Sequence, residues 1–400
     1  MVDAVPTVDV DFADPAYVRD PGPTLRRLRE IAPIIYDPRL GQYVTCEYRT
    51  TARVIGNAKG FGNQEAFFLE AFGGRSVEIM DNPRHNEVRG IWAQRFVRDA
   101  LAQEEARTRM IAQSVSGAMD PLVQTLRAGG SVDVVPSLST IPTVVIANMF
   151  GLPTEMHEQF SQWSGEMGLH TEPEPANTER GRGLVARAKV GTAALTAYLE
   201  EVIDERRTVP GDDLISALVH SPVADSMSHQ EIVATCSQLV FAGHETTAKL
   251  IAHTVLLLAE HPSQRAALRE DRSLLPAAIE EVLRISSPVQ AMWRYARPGA
   301  RVGEIEIAEG DKVMCSLAGA NRDPERWSDP ERFDITREPK QHLGFGFGTH
   351  SCLGLNLARL EVTTWLNQLL NEVPSYQLDG EPDFGTNWVL RAPVRLRVTL

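Results

Sequence analysis

Ten residues near the end of the chain, Phe345-Gly346-Phe347-Gly348-Thr349-His350-Ser351-Cys352-Leu353-Gly354, carry the densest chemistry in its 400 residues. Three glycines allow the backbone to turn tightly and to come close to a flat ligand. An apolar helical pattern follows from Leu355 to about Leu370, which puts Cys352 at a helix N-terminus. The dipole and the unpaired N–H groups there favour a thiolate over a thiol. An isolated cysteine is more often a buried apolar thiol. Phe, Gly, His and Cys at these spacings argue otherwise, because Cys and His are rare residues. The chemistry on offer is an anionic sulfur ligand for a metal centre.

Three further groups stand out by residue type and spacing. Ala242-Gly243-His244-Glu245-Thr246-Thr247 interrupts a strong helical pattern, since Gly and Thr lower helix propensity. Such a local conflict often marks a functional site. A carboxylate next to a hydroxyl can hold and pass protons, directly or through water. His244 is read as packing against another helix. Glu281 and Arg284, three apart, share a helix face and can pair, although an isolated pair of this kind is worth little at a surface. His85 and Arg89, four apart on a predicted helix, can reach one ligand together. Taken alone, they read as a wet helix surface.

These residues need a mostly helical frame. A helical segment near Thr24 to Ile31 is followed by strand-like runs at Ile34 to Tyr36 and Gln42 to Cys46, with a turn between them. Helical patterns dominate from about Arg84 to Leu283. His170 to Asn177 is polar and Pro-broken, and reads as a loop. A long helix is predicted from near Ser228, where Ser228 and Glu231 have capping-box spacing, to the stop at Pro262. The next begins near Pro276 and ends before Pro288. A β element returns over Arg301 to Leu317, and the last residues alternate like a strand. Cys46, Cys236 and Cys315 are read as core thiols.

Composition narrows the class. With 43% hydrophobic residues the chain can bury a large core. A net charge of −13 disfavours nucleic acid and anionic membranes as partners. Four widely spaced cysteines fit a reducing compartment, and no zinc-ligand spacing is present. The acidic opening, MVDAVPTVDVDFADP, reads as neither a signal peptide nor an anchor. A soluble, cytoplasmic monomer is expected.

Taken in chain order, His85/Arg89, Ala242 to Thr246, Glu281/Arg284 and the Cys352 segment resemble the cytochrome P-450 family, over about Asp14 to Leu400. The family's haem loop reads F-G-x-G-x-H-x-C-x-G, and every specified position is matched. Its A-G-x-[D/E]-T pattern is matched by Ala242, Gly243, Glu245 and Thr246. The resemblance implies a mainly α fold, with residues 1–400 as a single large helical domain carrying small β-sheets. The cofactor implied is haem b. Cys352 would be the iron's proximal ligand, in a loop shaped by Gly346, Gly348 and Gly354, with Phe345 beside the sulfur. His350, His85, Arg89 and Arg294 would hold the propionates. Ala242 and Gly243 would flank the haem, Gly243 leaving room for oxygen, while Glu245 and Thr246 manage protons. Glu281 and Arg284 would be a buried structural pair, with Arg332 as third partner. Asn82 stands where the family often has Pro, with no expected effect on ligand contacts.

The implied reaction is a monooxygenation. One atom of O2 enters a small apolar or aromatic substrate, by hydroxylation or oxidative dealkylation, and the other leaves as water. No dinucleotide fingerprint is visible, so electrons are expected from a ferredoxin and its reductase, docking near Lys340, His342 and Arg359. Substrate is expected along residues 65–72, 163–169, 239–241, 289–293 and 384–390, touching Phe68, Phe72, Leu239, Val289, Trp293 and Trp388. Two other readings stay open: a peroxide-driven oxidant on the same fold, and a haem-binding sensor without turnover. The Glu245–Thr246 pair argues against both.

Overall fold

The computed structural model describes residues 5–63, 65–172 and 178–400. Part of the expected loop, residues 173–177, lies outside them. Among the described residues twelve helices have eight residues or more: α1 (Gly22–Ile31), α2 (Tyr48–Gly56), α3 (Glu65–Phe72), α4 (Arg84–Ala93), α5 (Glu105–Arg127), α6 (Thr140–Met149), α7 (His157–Gly168), α8 (Glu179–Thr208), α9 (His229–Glu260), α10 (Pro262–Glu270), α11 (Leu275–Ile285) and α12 (Leu355–Glu372). Short strands complete the chain: β1 (Ile34–Asp37), β2 (Gln42–Thr45), β3 (Phe61–Gly62), β4 (Val132–Asp133), β5 (Ala291–Ala296), β6 (Arg301–Val302), β7 (Ile305–Glu306), β8 (Lys312–Ser316), β9 (Gln377–Leu378) and β10 (Arg397–Thr399). The fold is mainly helical with small sheets, as the sequence indicates. No described helix is long and apolar enough to cross a membrane.

The residues group into two compact units, each assembled from separated stretches of chain. The first holds residues 1–64, 253–352 and 383–394. Its sheet has the order β1-β2-β8-β5-β3, with β2 and β8 parallel and the other neighbours antiparallel. Val313, Cys315, Ile34, Val54, Ile55 and Leu343 form the core beneath it. Strand β5, Ala291-Met292-Trp293-Arg294-Tyr295-Ala296, was not anticipated as a strand. Its Trp and Tyr suit a pleated surface, but Arg294 and Pro298 mask the pattern.

The second unit holds residues 65–252, 353–382 and 395–400. Its small sheet has the order β4-β10-β9. The capping box before α9 closes in both directions: Glu231 N donates to Ser228 Oγ (3.1 Å), and Ser228 N donates to Glu231 Oε2 (2.9 Å). A cap of this kind contributes about 1 kcal/mol, which offsets part of the cost of the glycine and threonines downstream. Helices α5 and α12 are tied by Ser116 Oγ to Gln368 Oε1 (3.2 Å) and by Arg127 to Glu372 (2.8 Å).

Candidate active site

In the first unit the cysteine segment is a tight loop leading to α12. Gly346 and Gly348 have φ of +71° and +76°, the left-handed region in which a side chain is strained. The loop is closed by Gly346 N to Leu343 O (2.8 Å) and by Cys352 N to Phe345 O (2.8 Å). Gly354 differs, with an ordinary φ of −83° as the N-cap of α12. It closes the turn before the helix without needing the left-handed conformation. Cys352 is half-buried, whereas Cys46, Cys236 and Cys315 are buried. Burial pushes the Cys46 thiol up to about 12, that of Cys315 up to about 11, and that of Cys236 upward as well. Those three are inert core thiols. The loop hangs from a buried asparagine the sequence did not single out: Asn321 Oδ1 accepts from Leu343 N (2.7 Å), and its Nδ2 donates to Ser287 Oγ (3.2 Å).

Glu281 and Arg284 on α11 form a buried two-pronged pair, with Arg284 Nε and Nη2 at 2.7 and 2.8 Å from Oε2 and Oε1 of Glu281. The third partner is Arg337, whose Nε stands 3.1 Å from Glu281 Oε1. Arg332 is not that partner. Its side chain is 68% exposed and reaches Asp334 (3.4 Å), and only its carbonyl accepts from Arg284 and Arg337. The chain turns after Arg332, Asp334 N donates to Glu281 Oε1 (3.0 Å), and that turn points Arg337 inward.

Alternation along β5 sorts the remaining residues of this unit. Arg294 is buried, donates to the Trp293 carbonyl (2.9 Å), and has no carboxylate partner among the described ion pairs. Two positions back, Met292 shares its face, and its Cε would stand 3.9 Å from a Cβ on Gly346 of the cysteine loop. Trp293 projects from the opposite face and donates to Gln42 Oε1 (3.0 Å). Trp388 is buried, stacked on Phe12 (5.0 Å, 27°) and 5.9 Å from Trp293. Trp388 therefore belongs to an aromatic core, which corrects its assignment to substrate, while Trp293 packs half-buried against it. Val289 packs against the sheet core. Two-residue alternation from Arg294 would have pointed to Met292 instead. His342 is also corrected: it is buried, its Nε2 faces Glu280 (3.2 Å), and its Nδ1 accepts from Gly344 N (3.0 Å), so it offers no exposed basic surface. Lys340 does remain exposed.

In the second unit α9 carries the proton-handling residues. Leu239, Ala242 and Thr246 share one helix face by their spacing. Thr246 Oγ1 donates to the Ala242 carbonyl (3.0 Å). Glu245 Oε2 accepts from Lys249 Nζ (2.8 Å), one turn on. Burial alone would raise the Glu245 pKa, but Lys249, the largest opposing cause, counters it, and the carboxyl is held below the usual range. His244 is buried against α7, its Nδ1 3.0 Å from Ser164 Oγ, and burial lowers its pKa. A Cβ at Gly243 would stand 2.9 Å from Ile146 Cδ1. That glycine lets α6 approach α9, and the space its side chain would take is filled by Ile146. The expectation that it clears room for oxygen is corrected accordingly. Phe68 stacks on Phe72 (5.8 Å, 17°), and Phe72 meets Phe241 (5.8 Å), joining α3 to α9. Phe241, rather than Leu239 alone, completes that apolar wall. On α4, His85 is buried with Nδ1 3.1 Å from Asn86 Oδ1, and Arg89 follows one turn later, half-buried. Burial lowers the His85 pKa, with Arg89 adding to the effect.

The cytochrome P450 family model matches residues 43–379, and the chain belongs to that family. It is similar to cytochrome P450 107B1 of Saccharopolyspora erythraea, 34% identical over 362 residues that cover 90% of this chain and 84% of the relative. It is also similar to nocardicin C N-oxygenase of Nocardia uniformis subsp. tsuyamanensis, 37% identical and covering 82% and 80% of the two chains. Among solved structures it resembles P450BioI in complex with an acyl carrier protein ligated to hexadec-9Z-enoic acid, with a TM-score of 0.87, 29% identity, and 97% and 100% coverage. The chain is a cytochrome P450 monooxygenase.

Proposed function

We propose that this monooxygenase inserts one atom of O2 into a small apolar or aromatic substrate, with electrons from a ferredoxin and its reductase. The observation that carries this reading is the Glu245–Thr246 pair on α9. The hydroxyl rests on a helix carbonyl, and the carboxyl, 19% exposed, is held below the usual pKa range by Lys249. That arrangement is suited to delivering protons to bound oxygen. A peroxide-driven enzyme has less need of it, and a sensor has none.

The protein groups fit haem b. Cys352 is the half-buried thiol of the four, on a loop whose two left-handed glycines let the backbone lie close to a flat ring. Among the described residues Arg294 is a buried guanidinium with no carboxylate partner, which fits an anionic propionate. We assign Cys352 as the iron ligand, Phe345 as its neighbour, and Arg294 and His350 to propionates. His85 and Arg89 of α4 have the same assignment. Once bound, thiolate-ligated haem supplies the oxygen activation. The chain's own residues hold the sulfur, move protons at Thr246 Oγ1 and the Glu245 carboxylate, and exclude water with the Phe68–Phe72–Phe241 wall. That wall supports an apolar or aromatic substrate. Lys340 and Arg359 are the basic residues assigned to ferredoxin docking.

Turnover with 18O2, NAD(P)H and a ferredoxin pair, compared with hydrogen peroxide alone, tests the reading. One labelled oxygen per product, dependent on the electron donors, is expected. Equal product from peroxide alone would replace it with the peroxide-driven reading.

A further inference from the structure

Lys249 has no place in the family pattern, yet it makes the shortest polar contact to the proton-handling carboxylate. Its Nζ lies 2.8 Å from Glu245 Oε2. Glutamate four residues N-terminal to lysine is the favourable order for a helical pair. The environment makes the pair more than a surface ornament. The Glu245 side chain is 19% exposed, and it lies along the glycines of α7: a Cβ at Gly168 would be 3.7 Å from Oε1, and one at Gly165 would be 4.0 Å away. The other titratable neighbour is His244, with Nδ1 3.8 Å from Oε1.

His244 does not act as the balancing cation. Its Nδ1 is engaged with Ser164, while its Nε2 is buried with no hydrogen-bond partner. A protonated imidazole would bury an unpartnered N–H, which costs about 1–3 kcal/mol or more. The ring is therefore neutral, and α7 presents Ser164, Gly165 and Gly168 to this cluster. Among the described residues that leaves Lys249 as the cation in contact with this half-buried carboxylate. Its ammonium sits on a flexible four-carbon stem and is 25% exposed, so it can leave toward water without unfolding anything.

We propose that Lys249 is a positioning residue for proton delivery: its ammonium holds Glu245 ionised and turned toward α7, and proton uptake by Glu245 is coupled to release of that ammonium. Thr246 points to another side of the helix, so a Glu245 freed from Lys249 would resupply the hydroxyl through water. This rests on the proton role proposed for Glu245.

The test uses Lys249→Met, Lys249→Arg and Lys249→Met/Glu245→Gln in the haem-loaded protein. At neutral pH the infrared difference between Lys249→Met and wild type should show a protonated-carboxyl stretch. The band should be absent in Lys249→Arg and lost in the double variant. In turnover, Lys249→Met should divert reducing equivalents from product, lowering coupling roughly tenfold, while Lys249→Arg keeps wild-type coupling. No carboxyl band in Lys249→Met, or a band with unchanged coupling, overturns the proposal. A failure of the monooxygenase reading is distinguishable, because wild type itself would then lack oxygen-dependent product whatever the infrared result.

Discussion

Gly243 and Ile146 are in such close register that a Cβ on the glycine would stand 2.9 and 3.1 Å from the isoleucine Cδ1 and Cγ1. The glycine of the A-G-x-E-T segment thus secures the approach of α6 to α9. Gly243→Ala should overpack this contact and destabilise the protein by about 1–3 kcal/mol. Shortening the opposing side chain, in Gly243→Ala/Ile146→Val, should recover part of the loss. Urea denaturation of the single and double variants measures both. If Gly243→Ala were neutral while oxygen binding failed, the packing role would be wrong.

The two arginines after α11 should separate cleanly. Arg337 touches Glu281, whose carboxylate is buried, whereas Arg332 extends into solvent. Arg284→Ala strands a buried carboxylate and should cost about 3–5 kcal/mol. Arg337→Ala should cost less, because Arg284 remains, but clearly more than Arg332→Ala, which should stay within about 0.5 kcal/mol. Thermal melts of the three variants rank them. A larger effect at Arg332 than at Arg337 would contradict the geometry.

How far these contacts were legible in the sequence depended on whether their signal was local. Ser228 and Glu231 announced the start of α9 because a capping box lies within four residues. Cys352 announced itself because its loop is contiguous. The third partner of Glu281 was misplaced because it depends on a turn between Arg332 and Arg337 that spacing does not encode. Trp293 was assigned to substrate by its position in the 289–293 segment, although two-residue alternation from Arg294 puts Met292 on the loop-facing side. Asn321 was invisible because its partners, Leu343 and Ser287, are brought to it only by the tertiary fold. Lys249 was within reach, since Glu-to-Lys at four residues is a helix pattern, but nothing local showed that the glutamate would be buried.

Glu361 on α12 makes a prediction with a definite sign. It is buried, its Oε2 has no hydrogen-bond partner, and burial raises its pKa well above the ordinary value. A carboxyl whose folded pKa is raised binds its proton more tightly when folded. Below the unfolded pKa of about 4.3 it is protonated in both states and costs nothing. As pH rises toward the folded pKa, the unfolded state gains by ionising, and stability falls. Glu361→Gln removes that slope. The variant should melt higher than wild type at pH 7 to 8, and the two curves should converge near pH 4. A gap that persists at pH 4 would point to packing instead of titration.

Cys352 is the assignment on which every cofactor role depends, and its chemistry gives it a signature no other residue shares. A thiolate donates far more electron density to iron than an imidazole does. Reduced protein exposed to carbon monoxide should therefore show the red-shifted Soret band of thiolate-ligated haem. Cys352→Ala should lose that band. Cys315→Ala should keep it, because a thiol with a pKa near 11 inside the sheet is neutral and out of reach. Arg294→Leu offers a graded intermediate. It removes a guanidinium assigned to a propionate but leaves the sulfur, so haem should be lost more readily while the band position of the bound fraction stays put. Should Cys352→Ala retain the band, the ligand lies elsewhere. Should Arg294→Leu shift the band without weakening retention, the arginine acts on the sulfur loop and not on the propionate.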